Sequence, residues 1–139
     1  MRAGLVAVVS SLILGWVLGC AHGPIFQEMK DVPGDRALIY FYHPQESMAS
    51  GGKYEVKWME QRIGLLKTGR YFPYLALPGH YIFYVETLFS FSKKDMDVEP
   101  GTVYYARCRT KGWLRASLTM ELVPPLLGRA EIMDCRLLR

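Results

Sequence analysis

The chain has 139 residues, half of them hydrophobic and 13% aromatic, with 17 basic against 13 acidic side chains and a net charge of +4. That length accommodates one domain with its own core, and the apolar content excludes disorder for the bulk of the chain. The basic residues are scattered, Lys93-Lys94 being the only adjacent pair, so the clustered stripe that a nucleic-acid surface needs is missing.

The N-terminus reads as an address. Arg2 gives a short basic start, and the apolar run from Leu5 to Leu18 follows it. As a helix of about 14 residues the run would be roughly 21 Å long, against a hydrocarbon core of roughly 30 Å. It is too short to span, and it has the length of the apolar region of a secretory signal. A buried core helix would carry a polar face, which Ser10 and Ser11 alone do not supply. The run ends in Val17-Leu18-Gly19-Cys20, which matches the bacterial lipobox. The small residue before the cysteine lets the signal peptidase approach, and the thiol takes a diacylglyceryl group. Residues 1–19 are therefore expected as a lipoprotein signal peptide and Cys20 as the lipidated N-terminus; the alternative is an ordinary signal with a chance cysteine. At about 0.8 kcal/mol per buried CH₂, two or three acyl chains make a firm membrane anchor. Ala21, where an inner-membrane protein commonly has Asp, points to the outer membrane, with the domain facing the periplasm. Removing Arg2 with the signal leaves 16 basic and 13 acidic residues.

Residues 20–35 contain Gly23, Pro24, Pro33 and Gly34 without sustained periodicity and are expected as a tether. The domain then occupies 36–139. "RALIYFYH" (36–43) is a continuous apolar and aromatic run, as for a strand buried on both faces. "YEVKWM" (54–59) alternates, and "RIGLLKTG" and "RYFPYLALPG" follow, separated by Gly69. "HYIFYVET" (80–87) follows the Pro78-Gly79 turn and "TVYYARCR" (102–109) the Pro100-Gly101 turn, with "SFSKKD" between them read as a loop. "ASLTMELV" (116–123) alternates again. Short strands punctuated by Gly and Pro predict a mainly β domain, an antiparallel β-sandwich or partial barrel. Pro124-Pro125 opens a short C-terminal helix over 125–134, with Leu126, Ala130 and Met133 at helical spacing.

The stretches "ALIYFYHP", "IGLLKTGRYFPYLALPGHYIFYVET" and "GTVYYARC", together with the lipobox, resemble an uncharacterised family of small bacterial envelope lipoproteins, a domain of unknown function. The likeness runs from Ala37 to Cys108, and its middle also resembles the PEGA-type β-sandwich modules of bacterial surface proteins. His43 stands where that family usually has Arg, and "MEQRIG" replaces the customary "DGxxIG". The resemblance implies a fold and a compartment but no reaction.

Few residues suggest chemistry. Once Cys20 is lipidated, Cys108 and Cys135 remain, and an oxidising envelope invites a disulfide between them; the alternative is two small buried residues on separate elements. No CxxC or HxxxH spacing offers a zinc site, no GxSxG elbow is present, and no cofactor is expected. His43 and His80 are distant in sequence but could meet in a fold. Among the crowded aromatics, Tyr71 and the "SFSKKD" segment are candidates to face a ligand, since exposed tyrosines favour interfaces. The weak binding candidates are thus Tyr71, His43 and His80. The leading expectation is a lipid-anchored, non-catalytic binding or structural module, whose partners are the membrane and an envelope protein or glycan. The alternatives are a small envelope hydrolase and an inhibitor of a lytic enzyme.

Overall fold

Every residue of β1 (Ala37–His43) is buried, because both faces of this central strand are covered. The computed structural model describes residues 23–45, 52–111 and 117–138; Cys20 and the signal lie outside them. The remaining strands are β2 (Tyr54–Trp58), β3 (Gln61–Leu66), β4 (Arg70–Ala76), β5 (Gly79–Glu86), β6 (Phe91–Val98), β7 (Val103–Lys111) and β8 (Ser117–Val123). They are followed by α1 (Pro125–Ile132) and a two-residue β9 (Arg136–Leu137). The strands form two sheets, one of five strands ordered β8-β7-β1-β4-β9 and one of four ordered β3-β2-β5-β6. The result is mainly β, with antiparallel-rich sheets that do not close into a barrel. Two pairings, β1 with β7 and β4 with β9, are parallel. A parallel pair requires a long crossover, and the excursion of the chain through the second sheet provides the one between β1 and β7.

Alternation divides the apolar residues into two cores. Ala37, Ile39 and Phe41 of β1 meet Val56, Phe83, Val85 and Met96 between the sheets. Leu38, Tyr40 and Tyr42 point to the outer side, where Phe26, Tyr71, Tyr105, Ile132 and Cys135 cover them. In this second core the Phe26 ring sits edge-on to Tyr40 and to Tyr71, each at 5.1 Å. Edge-to-face packing of this kind suits the ring quadrupoles.

That outer core corrects three expectations. The stretch read as a tether is docked from Gly23 onward: the Phe26 N–H donates to the Cys135 carbonyl at 2.8 Å, and the Leu137 N–H donates to that of Pro24 at 2.9 Å. Residues 23–29 thus form a strap over the five-stranded sheet, held by aromatic burial that the local lack of periodicity concealed. The buried positions of α1 are Gly128 and Ile132, whereas Leu126 and Met133 are exposed. The helix lies so close to Tyr105 that only a glycine fits at the contact.

The third correction concerns the cysteines. Both Cys108 and Cys135 are free and buried, and no disulfide joins them. The period of two does place Ala106 and Cys108 on one face of β7, but that face looks between the sheets, while the helix packs on the opposite face over Tyr105. Burial holds both thiols in the protonated form, pushing Cys135 up to about 12. Folded protein should therefore expose neither thiol to iodoacetamide, and denatured protein should alkylate at both. A disulfide-linked peptide in the digest would contradict the placement.

Candidate binding surface

The two sheets differ in what covers their outer faces. The strap and α1 lie over the five-stranded sheet, but nothing among the described residues lies over the four-stranded one. Its outward positions follow from the alternation of β5 and β6: Val85 and Met96 point inward, so Ile82, Tyr84 and Glu86 of β5 and Phe91, Lys93 and Asp95 of β6 point outward. Lys57 of β2 joins this face and donates to Glu86 at 2.7 Å, with Glu55 at 3.6 Å from the same ammonium group. Arg62 of β3 meets Glu55 at 3.4 Å. Exposed pairs of this kind add little stability, but they hold a mixed-charge grid in place around Tyr84 and Leu65. Beside the grid is a cavity of ≈ 640 Å³ lined by Lys53, Glu55, Arg62, Leu65, Glu86 and Leu88. A second, of ≈ 400 Å³, is lined by Lys57, Met59, Glu60 and Tyr84. Concave, part-apolar surface with a few fixed polar groups is the usual form of a binding site.

β6 occupies the segment whose start is expected as a loop, and the two-residue β9 is likewise unexpected. "FSKKDMDV" alternates weakly and carries four charges, as an exposed edge strand does. Its signal lay in Met96 and Val98, the inward-facing apolar pair at the end of the run. The turn between β2 and β3 places Met59 and Glu60 at φ 48° and 65°, so the hairpin survives without the customary Asp-Gly.

The three suggested binding residues are not brought together. Tyr71 is buried beneath Phe26 of the strap. His80 is exposed at the start of β5, its ring nitrogens 2.8 Å from Asp97 and 3.0 Å from Asp95. These two carboxylates, Asp97 foremost, raise its affinity for a proton. His43 ends β1 at the opposite end of the sandwich, since Gly79 and His80 pair with the last residues of β6, whereas His43 stacks on Tyr54 at the start of β2. Among the described residues there is also no cluster of three His, Cys, Asp or Glu suited to a metal, and no helix is long and apolar enough to cross a membrane.

His43 instead governs stability. Its ring is buried against Tyr54 at 4.7 Å, and neither ring nitrogen has a hydrogen-bond partner among the described residues. Burial therefore lowers its pKa to about 4. An unfolded histidine titrates near pH ~6.5, so between about pH 6.5 and about pH 4 the unfolded chain binds more protons than the native one. The contribution of His43 to stability should fall through that window as the pH drops, by ~2 kcal/mol between about pH 7 and about pH 5. His80 acts with the opposite sign, so the difference between wild type and a His43 variant isolates the His43 contribution. Urea midpoints of wild type and His43→Phe at the two pH values check this.

Residues 33–117 match a protein family of unknown function, DUF2846. The chain belongs to this family. The DUF2846 match runs from just before β1 to the first residue of β8, so it contains the whole four-stranded sheet and excludes the strap and α1. No curated protein and no solved structure matches the chain.

Proposed function

We propose that the protein is a lipoprotein of the bacterial envelope, held through Cys20 in the outer membrane and facing the periplasm, that binds an envelope protein or glycan without catalysis. The anchor rests on Val17-Leu18-Gly19-Cys20 behind its short apolar run. The binding role rests on one observation, the uncovered face of the four-stranded sheet, where Tyr84 and Leu65 sit among fixed charges beside a cavity of ≈ 640 Å³. Aromatic and aliphatic anchors ringed by polar groups are how proteins and sugars are held at interfaces. The sequence pattern in the middle of the domain resembles that of PEGA-type surface modules, which supports the same reading. A hydrolase is less well supported, because His43 is buried and His80 lies at the other end of the sandwich, exposed between two aspartates.

The test is photocrosslinking in living cells, with a photoreactive phenylalanine analogue at Tyr84 and, for comparison, at Leu126 on the exposed side of α1. A discrete adduct from position 84 and none from 126 is the expected result. Equal labelling from both positions, or none from 84, would overturn the binding role of this face.

A further inference from the structure

One end of the sandwich combines the outgoing N-terminal chain with Leu88 and Phe89, the two most exposed large apolar side chains among the described residues. His43, Arg70 and Arg136 stand level across β1, β4 and β9. Gly23 and Pro24 sit against Leu137 at the same level. Tyr54 stacks on His43, which marks the matching end of the four-stranded sheet. Glu55 pairs with Glu86 and Glu86 with Phe91, so the 87–90 turn projects from that same end. At this turn Leu88 is 94% exposed, Phe89 97% and Phe91 70%. The turn is well formed: the Thr87 N–H donates to the Ser90 carbonyl at 2.7 Å, and the Ser90 N–H donates to Thr87 Oγ1 at 3.1 Å. Large apolar side chains held out on an ordered turn mark an interaction site rather than a gap in the core.

We infer that this end of the domain faces the bilayer and that Leu88, Phe89 and Phe91 insert into its headgroup region. The inference rests on the lipidated Cys20 of the proposed function. Because the strap is docked from Gly23, only Cys20, Ala21 and His22 separate the acyl chains from the fold. At no more than ~3.6 Å per residue they span about 11 Å, close to the ~5–10 Å depth at which interfacial apolar groups bury. So short a leash brings the departing end of the sandwich to the membrane surface. Charge has the same polarity. Lys53, Lys67, Arg70 and Arg136 stand at the strand ends on this side, with Asp134 as the unpaired acid near them among the described residues. Lys111 is paired with Glu121, and Glu55 and Glu86 with Arg62 and Lys57. The opposite end carries Asp35, Glu60, Asp97 and Glu99 beside Arg36. Basic groups facing anionic lipid and acidic groups facing away favour this orientation.

Nitroxide labels on Phe89→Cys, and on Glu60→Cys at the far end, test it in the acylated full protein, reconstituted in vesicles of phosphatidylethanolamine and phosphatidylglycerol. Cys108 and Cys135 are fully buried and take no label. The label at 89 should be relaxed preferentially by oxygen, with an oxygen-to-nickel-chelate accessibility ratio several-fold above that at 60. A water-like ratio at both positions on a chain shown by mass to be acylated overturns the inference alone. Protection of position 89 from both reagents also overturns it, by placing a protein over the tip. An unacylated Cys20 overturns the anchor, and the inference with it.

Discussion

Replacing Arg107 with Met is expected to destabilise the protein by ~3 kcal/mol, the lower end of what breaking a largely buried ion pair costs. Arg107 lies on the outer face of β7 with its side chain only 12% exposed. Its Nη1 donates to Glu131 of α1 at 2.6 Å and its Nη2 donates to Glu121 of β8 at 2.8 Å. The Tyr42 hydroxyl donates to the other oxygen of Glu131 at 2.7 Å. One guanidinium thus ties the helix to the edge strand, with Tyr42 of the central strand joined through Glu131. A methionine of similar volume would leave Glu131 without its cation and Glu121 with Lys111 alone. Urea unfolding near neutral pH measures the loss. Glu131→Gln, which keeps an acceptor for Tyr42 and removes one charge, should cost less. The pH dependence has a definite sign. Arg107 first, and Lys111 second, hold the Glu121 carboxyl down to about 2. A carboxyl depressed in the folded state contributes stability above its unfolded value of ~4.3 and loses it as the pH falls toward about 2. The gap between wild type and Arg107→Met should therefore narrow across that acid range.

Gly128→Ala is expected to lower stability by ~2 kcal/mol, with a drop of roughly 8 °C or more in Tm. In an open helix the same change would gain ~1 kcal/mol from helix propensity. The opposite sign here comes from the packing. A Cβ at 128 would overlap the Cβ and Cγ of Tyr105, and the Tyr105 Cβ is fixed to the strand backbone and cannot swing away. The helix would have to lift, which separates Ile132 from its core and pulls Glu131 from Arg107. Thermal unfolding by circular dichroism measures the change, and an unchanged or raised Tm would mean that α1 is not seated on Tyr105 in this way.

Legibility in the sequence followed the strength of local pattern. The uninterrupted run of β1 announced a strand covered on both sides, and the Pro-Gly steps at 78–79 and 100–101 marked the turns into β5 and β7. β6 was hidden because an edge strand next to water selects charge over alternation. The helix was placed almost to the residue, but its buried face was misread. Periodicity rewards large apolar side chains, while a helix pressed onto a sheet needs a glycine at the contact. That Cys108 and Cys135 stay apart depends on which side of the sheet the helix takes, and no local pattern in β7 carries that. The binding face was partly visible, since the "SFSKKD" segment supplies Phe91 and Lys93, but Tyr71 was drawn into the core by Phe26, 45 positions earlier in the chain.

In the proposed function, the mature chain begins at an acylated Cys20 and is held at the membrane by it. The most direct measurement is the intact mass of the protein extracted from the membranes of the cells that make it. A mass equal to residues 20–139 plus a diacylglyceryl group, with or without a third acyl chain, is the predicted result, and Cys20→Ser should leave a chain without that increment. A mature chain with an unmodified Cys20, or one beginning elsewhere, would rule out the lipid anchor.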